Sequence, residues 1–204
     1  MYQLYKYNPS PMSFRAHGHF TFKMGKICAI FIDGGYLRAL LKRYNNFPLD
    51  YLKFSDKISK VINAERLRTY YYDCLPILKK DNEKSKIDYD NKKNFINKLM
   101  QLSRFDVKLG ELQLIKDTYK QKKIDVIMSL DIAKKCFEKQ IHYAVLIAGD
   151  SDFVPSVEEA KNYGAIVYLF ADKDSLNKEL FNKADEFFPL NKEFFEDCKL
   201  VKHI

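Results

Sequence analysis

At 204 residues with 47% apolar content, the chain is long enough to bury one good core, and length favours a single domain. Its apolar runs are strand-sized, short of the roughly 20 residues that cross a bilayer, and no basic stretch followed by a long apolar one marks a secretory signal. No membrane partner is therefore expected, and the cytoplasm is the expected compartment. The net charge of +8 invites an anionic partner, yet Lys6, Arg15, Lys23 and Lys26 come from an opening stretch without any acid, which leaves the body only mildly basic.

Residues 1–24 are aromatic and polar without periodicity and read as an irregular leader. His17 and His19 form an HxH there, with nothing nearby to complete a ligand set. Ile27 to Ile32 is a continuous apolar run, as expected of a strand buried on both faces in the middle of a parallel sheet. Leu37, Leu40, Leu41 and Tyr44 follow at helical spacing, and a second helix is expected over Leu49 to Ile62. Arg66 to Tyr72 reads as a strand, with Tyr70, Tyr71 and Tyr72 alternating between its faces. Asp73 to Pro76 is expected to turn the chain, and Tyr72 and Asp73 stand near enough to the strand end to reach a substrate or a metal.

Residues 79–93 mix Lys with Asp and Glu without apolar periodicity, which marks a mobile-loop candidate, before Phe95, Ile96, Leu99 and Leu102 announce a helix. Phe105 to Ile115 alternates as a strand, and Asp117 to Lys123 reads as a basic connection. A helix is expected from Ile124 to Lys139, a buried strand over Tyr143 to Ile147, a helix over Phe153 to Tyr163 ended by Gly164, and a strand over Ala165 to Phe170. Asn191 to Ile204, with Phe194, Phe195, Leu200 and Val201, reads as a docking helix or equally as a contact in a homodimer. Such alternation predicts a three-layer α/β/α sandwich over residues 25–190 with a mainly parallel central sheet, followed by a tail over 191–204. Its ligand site would lie beyond the carboxyl ends of the strands.

Acidic clusters fall at those ends: Asp33 in CAIFIDGGYL, Asp125 in KKIDVIMSLD, Asp150 with Asp152 in VLIAGDSDF. Two carboxylates about 4 Å apart repel by about 4 kcal/mol at an effective dielectric near 20, so a convergence of several calls for a divalent metal. Each has an ordinary alternative. Asp33 would cap the following helix, with Gly34 and Gly35 letting the backbone turn; either acid of GDSD, Asp152 first, would cap the next helix, but both cannot. Asp125 and Asp131 lie six residues apart on a helix, roughly 120° around it, and need not share a site. Asp125 is the better inward carboxylate, while Lys122 and Lys123 would hold a phosphate backbone or simply neutralise the acids. Cys28, Cys74, Cys136 and Cys198 are dispersed without a CxxC, which argues against structural zinc and against disulfides and for buried thiols.

In order and spacing, FIDGGYL, RTYYYD, KKIDVIMSLD and IAGDSDFVP resemble the NYN domain family, in particular its LabA-like branch within the PIN-like nuclease superfamily. The resemblance implies a PIN-like sandwich whose aspartates bind Mg²⁺ or Mn²⁺ and hydrolyse RNA. Carried over by motif, Asp33, Asp125, Asp150 and Asp152 become catalytic and metal-site candidates, with Asp131 secondary. Gly34, Gly35, Tyr36, Ser151, Lys122 and Lys123 become substrate-side candidates, helped by loops around 76–93 and 116–123. The sequence departs from the family at Tyr36, where many relatives carry Asn, and at Lys123, where many carry Gly. Two rival readings remain: an RNA-binding or regulatory module with little turnover, and a haloacid dehalogenase-like phosphatase. The phosphatase would need a second aspartate at Gly35.

Overall fold

The computed structural model describes residues 25–78, 82–115, 118–122 and 124–201, with 111–115 and 118–122 described by their backbone only. The leader with His17 and His19, and Lys123, lie outside the described residues. In chain order come β1 (Lys26–Asp33), α1 (Gly34–Arg43), α2 (Tyr51–Val61), β2 (Ala64–Cys74), α3 (Glu83–Met100), β3 (Phe105–Ile115), β4 (Thr118–Lys122) and α4 (Ile124–Phe137). They are followed by β5 (Tyr143–Ile147), α5 (Val154–Asn162), β6 (Ile166–Ala171), α6 (Lys178–Lys183), β7 (Glu186–Pro189) and α7 (Lys192–Glu196).

The strands form one sheet in the order β4-β3-β2-β1-β5-β6-β7, parallel throughout except for the antiparallel β3–β4 pair. β1 is central because Cys28 to Ile32 are apolar on both faces and wholly buried. Alternation along it sends Cys28, Ile30 and Ile32 to the layer of α1, α2 and α3, and Ala29 and Phe31 to the layer of α4, α5 and α6. The three-layer α/β sandwich is thus the observed fold. The chain winds outward from β1 to β4 and then restarts at β5 on the other side of β1. That reversal opens a crevice at the carboxyl ends of β1 and β5, where a parallel sheet of this kind places its ligands.

Three local expectations are corrected. Residues 83–100 are helical rather than a loop: Asn82 caps α3 by accepting from the Ser85 N–H at 2.9 Å, and only Ile96 and Leu99 are buried, so the early turns lie on the surface and need no apolar period. The 117–123 connection contains β4, a hairpin partner of β3 held by backbone pairing. Asp73 and Cys74 do not turn the chain but continue β2, since Asp73 is buried against Arg38 and Lys92. Among the described residues of the tail, the short α7 docks on the chain's own core through Phe195, which is wholly buried against Tyr44, Phe47 and Phe54 at ring separations of 5.8, 6.0 and 5.7 Å. Burying a side chain of that size stabilises by about 2 kcal/mol. Residues beyond it are stitched on by Asp50 N–H to Cys198 O and Leu200 N–H to Pro48 O, both at 2.8 Å.

Cys28, Cys74, Cys136 and Cys198 are all buried and free of disulfides, and burial pushes the thiols of Cys28 and Cys136 up to about 11. No helix among the described residues is long and apolar enough to cross a membrane.

Candidate active site

Ile32 of β1 stands level with Ile147 of β5, so Asp33 and the Ala148–Asp150 segment leave the sheet side by side. Asp33 caps α1: its Oδ1 accepts from the N–H groups of Gly35 at 2.8 Å and Tyr36 at 3.0 Å. Its Oδ2 takes no hydrogen bond from a described residue. The cap requires glycine at position 34, because a Cβ there would meet Tyr71 Cζ at 2.6 Å and Asp73 Oδ2 at 2.8 Å.

Between β5 and α5, Asp150 rather than Asp152 is the capping acid: its Oδ1 accepts from the Asp152 N–H at 3.2 Å and faces the Ser151 hydroxyl at 3.4 Å. The intervening turn, Ser151–Phe153, is a 3₁₀ turn rather than α-helix, which moves the start of α5 to Val154 and leaves Asp152 exposed with no capping duty. Asp125 sits in the first turn of α4, across from this loop.

The loop divides the crevice. Asp33 and Asp150, with Gly35, Tyr36, Ser175 and Asn177, line a cleft of about 590 Å³ on one side. On the other, Asp125 and Asp152 line a cleft of about 580 Å³. The two halves feel each other. Burial pushes the Asp33 carboxyl up, the Tyr36 N–H pulls it down, and the negative charges of Asp125 and Asp73 help keep it above the ordinary carboxylate value. Asp125 is likewise pushed up, by burial first and then by Asp150 and Asp152.

Other acids at the same end of the sheet are neutralised. Asp73 is paired with Arg38 and Lys92; Asp172, just past β6, pairs with Arg43 at 2.9 Å and accepts from the Tyr44 hydroxyl at 3.1 Å. Asp131 accepts from the Tyr72 hydroxyl at 2.9 Å. No cation among the described residues pairs with Asp33, Asp125, Asp150 or Asp152. Four carboxylates without a cationic partner among the described residues are the electrostatic signature of this end of the fold.

As placed, no three His, Cys, Asp or Glu side chains among the described residues gather tightly enough to enclose a metal ion. The donors are nonetheless all oxygen, which suits Mg²⁺ or Mn²⁺, and Mg²⁺ commonly engages only one or two carboxylates while keeping several waters. The residues fit a hydrated hard cation and do not form a closed cage.

Sequence reasoning named Tyr36 in the first cleft but missed Ser175 and Asn177 beside it. Tyr36 reaches across the cleft: its hydroxyl accepts from the Asp172 N–H at 2.8 Å and faces Ser175 Oγ at 3.4 Å, while its ring lies against Gly149. Ser175 and Asn177 follow a buried strand and an aspartate in FADKDSLN, the same pattern that flagged Asp33 and Asp150, and that signal would have found them. The backbone of Lys122 pairs with Glu111 at the sheet's β3–β4 edge. A larger groove of about 850 Å³, lined by Lys57, Phe194 and Asp197, lies away from all these acids, and its lysine already pairs with Asp197 at 2.7 Å.

A family model described as "NYN domain" matches residues 28–191. The fold is similar to the crystal structure of a protein of unknown function from Vibrio parahaemolyticus, with a TM-score of 0.63 at 18% identity over 87% of this chain and 98% of that one. No curated protein matches the chain.

Proposed function

The chain belongs to the NYN domain family, a branch of the PIN-like nuclease superfamily, and on that footing we propose that it is a metal-dependent ribonuclease of the LabA-like kind. The observation that carries this reading is the contrast in charge compensation at one edge of one sheet. Asp73 is paired with Arg38 and Lys92 and Asp172 with Arg43, whereas Asp33, Asp125, Asp150 and Asp152 have no cationic partner among the described residues. A bound Mg²⁺ or Mn²⁺ would supply that charge and make a coordinated water more acidic near a phosphate oxygen.

The chain's own groups have separable roles. Asp33 and Asp150, whose Oδ1 atoms are spent on caps, are fixed in orientation by those caps and offer their second oxygens. Asp125, in the first turn of α4 and lining the same cleft as Asp152, is placed to help hold the cation and to orient an attacking water. Asp152 is exposed and uncommitted and completes the second cleft. Asp131, on α4 and engaged by Tyr72, is assigned a supporting place rather than a share of the metal.

The rival reading, an RNA-binding module with little turnover, draws on the absence of a closed three-ligand group among the described residues. Incubating the protein with end-labelled single-stranded and structured RNAs in Mn²⁺, Mg²⁺ or EDTA separates the two. Asp33→Asn and Asp150→Asn are the controls, because asparagine still caps a helix and only the charge is lost. Metal-dependent cleavage abolished in both variants supports the ribonuclease. Tight binding without cleavage supports the module, and cleavage unchanged in both variants points to a contaminant.

A further inference from the structure

The cleft holding Asp33 and Asp150 does not end at its carboxylates. Leu176, on its wall, also lines a second groove of about 380 Å³ together with Lys173, Lys178, Phe181 and Phe187. The two are tied together by the backbone: the Asn177 N–H donates to Gly149 O at 2.9 Å, which anchors the segment carrying Leu176 to the residue before Asp150. Asn177 also caps α6, accepting from the Glu179 N–H at 2.8 Å, and so fixes where that helix sets Phe181.

Phe181 is 45% exposed, and α6 does not need it for anchorage, because the neighbouring Leu180 is wholly buried. Its ring meets Phe187 edge-on at 5.2 Å and is held in place by that contact. Lys173 and Lys178 are exposed and make no ion pair or side-chain hydrogen bond with a described residue. Neighbouring cations are committed: Arg43 to Asp172, Lys161 to Asp185, Lys183 to Glu158. Asp174 and Glu179 are near in sequence, but neither lines the groove.

An exposed ring beside two uncommitted ammonium groups is the combination by which single-stranded nucleic acid is held: a base stacks on the ring while lysines take the phosphates. We propose that this groove is a nucleotide subsite that stacks one unpaired base of an RNA strand on Phe181. It rests on the reading of the carboxylates as acting on RNA, and places the next phosphodiester at Asp33 and Asp150. The base must be unpaired, since a duplex presents no free face to the ring.

The test is fluorescence anisotropy in EDTA with a fluorescein-labelled oligouridylate of about 12 nucleotides. Phe181→Ala should weaken binding about tenfold, Phe181→Tyr should retain it, and a Lys173→Gln/Lys178→Gln pair should lower the slope of log affinity on log salt by about 1.4. Wild-type affinity in Phe181→Ala overturns the proposal, as does a dimer dissolved by Phe181→Ala whose RNA affinity is unchanged, or a wild-type protein that binds no RNA. Cleavage by wild type and Asp33→Asn in Mn²⁺ is read alongside. Cleavage lost in Asp33→Asn with no effect of Phe181→Ala on affinity removes the subsite and keeps the ribonuclease. Phe181-dependent binding without cleavage keeps the subsite and removes the ribonuclease.

Discussion

The ring of Tyr36 lies so close to Gly149 that a Cβ on the glycine would stand 2.6 Å from Tyr36 Cε2, and 2.7 Å from the Ser175 carbonyl. One side chain thus sets the spacing between the Asp33 turn, the Asp150 loop and the segment after β6. Gly149→Ala should cost about 2 kcal/mol through overpacking, read from urea midpoints, and should lower RNA cleavage by shifting Asp150. Gly25→Ala, where a Cβ meets nothing within 4 Å, should leave both unchanged.

Asp73 is 1% exposed and sits on the opposite face of the sheet from Phe31, under the glycine turn, where Arg38 and Lys92 hold it. Lys92→Met removes one of two charge-assisted bonds to a buried carboxylate and should lower stability by about 2 kcal/mol. Cleavage by the folded fraction should survive, because Lys92 neutralises Asp73 and touches none of the four uncompensated acids. A fall in cleavage without a fall in stability would place Lys92 in the chemistry instead.

The two kinds of carboxylate should respond to pH with opposite signs. Asp125, held above its ordinary value in the fold, disfavours folding once ionised; Asp125→Asn should therefore be more stable than wild type in EDTA at neutral pH. That advantage should close as the pH falls through the folded value of Asp125 toward the ordinary one near 3.8. Burial pushes Asp172 up, but hydrogen bonds from Arg43, the Asp174 N–H and Tyr44 outweigh it and hold it below the usual value. Asp172 then contributes stability above the ordinary carboxylate value that is lost as pH falls through its folded one. Asp172→Asn should be less stable at neutral pH, with the gap closing in acid. Thermal melts across pH 2.5 to 7, about the carboxylate range, read both.

Strands were legible where burial left a mark on composition. Ile27–Ile32 and Tyr143–Ile147 stand out as apolar runs, and their alternation with helices puts the aspartates that follow them at one sheet edge. Elements stabilised mainly by caps or backbone pairing were not legible: the early turns of α3, the β4 strand, and the short α6 and β7 carry no apolar period of useful length. Nor could pattern alone separate the acids. Asp73 looked like a turn residue because its cations, Arg38 and Lys92, come from distant helices. Asp150 and Asp152 could not be assigned as cap and surplus until the 3₁₀ turn fixed which one faces the free N–H.

Asp131 is held by a hydrogen bond rather than by a cation. Its bond from the Tyr72 hydroxyl predicts that Tyr72→Phe costs about 1 kcal/mol and that Asp131→Asn keeps most of the cleavage that Asp125→Asn loses. Initial rates for the two asparagine variants, measured on the same RNA, distinguish a metal-site acid from a structural one.

Manganese binding tests the account most directly, because it asks whether the uncompensated carboxylates act together, independently of any substrate. Electron paramagnetic resonance of free Mn²⁺ titrated with wild type and with Asp33→Asn, Asp125→Asn, Asp150→Asn and Asp152→Asn should show binding by wild type, weakened at least about tenfold in each variant, consistent with the loss of one charged ligand. Binding of equal strength in wild type and all four variants, or none in wild type, would contradict it.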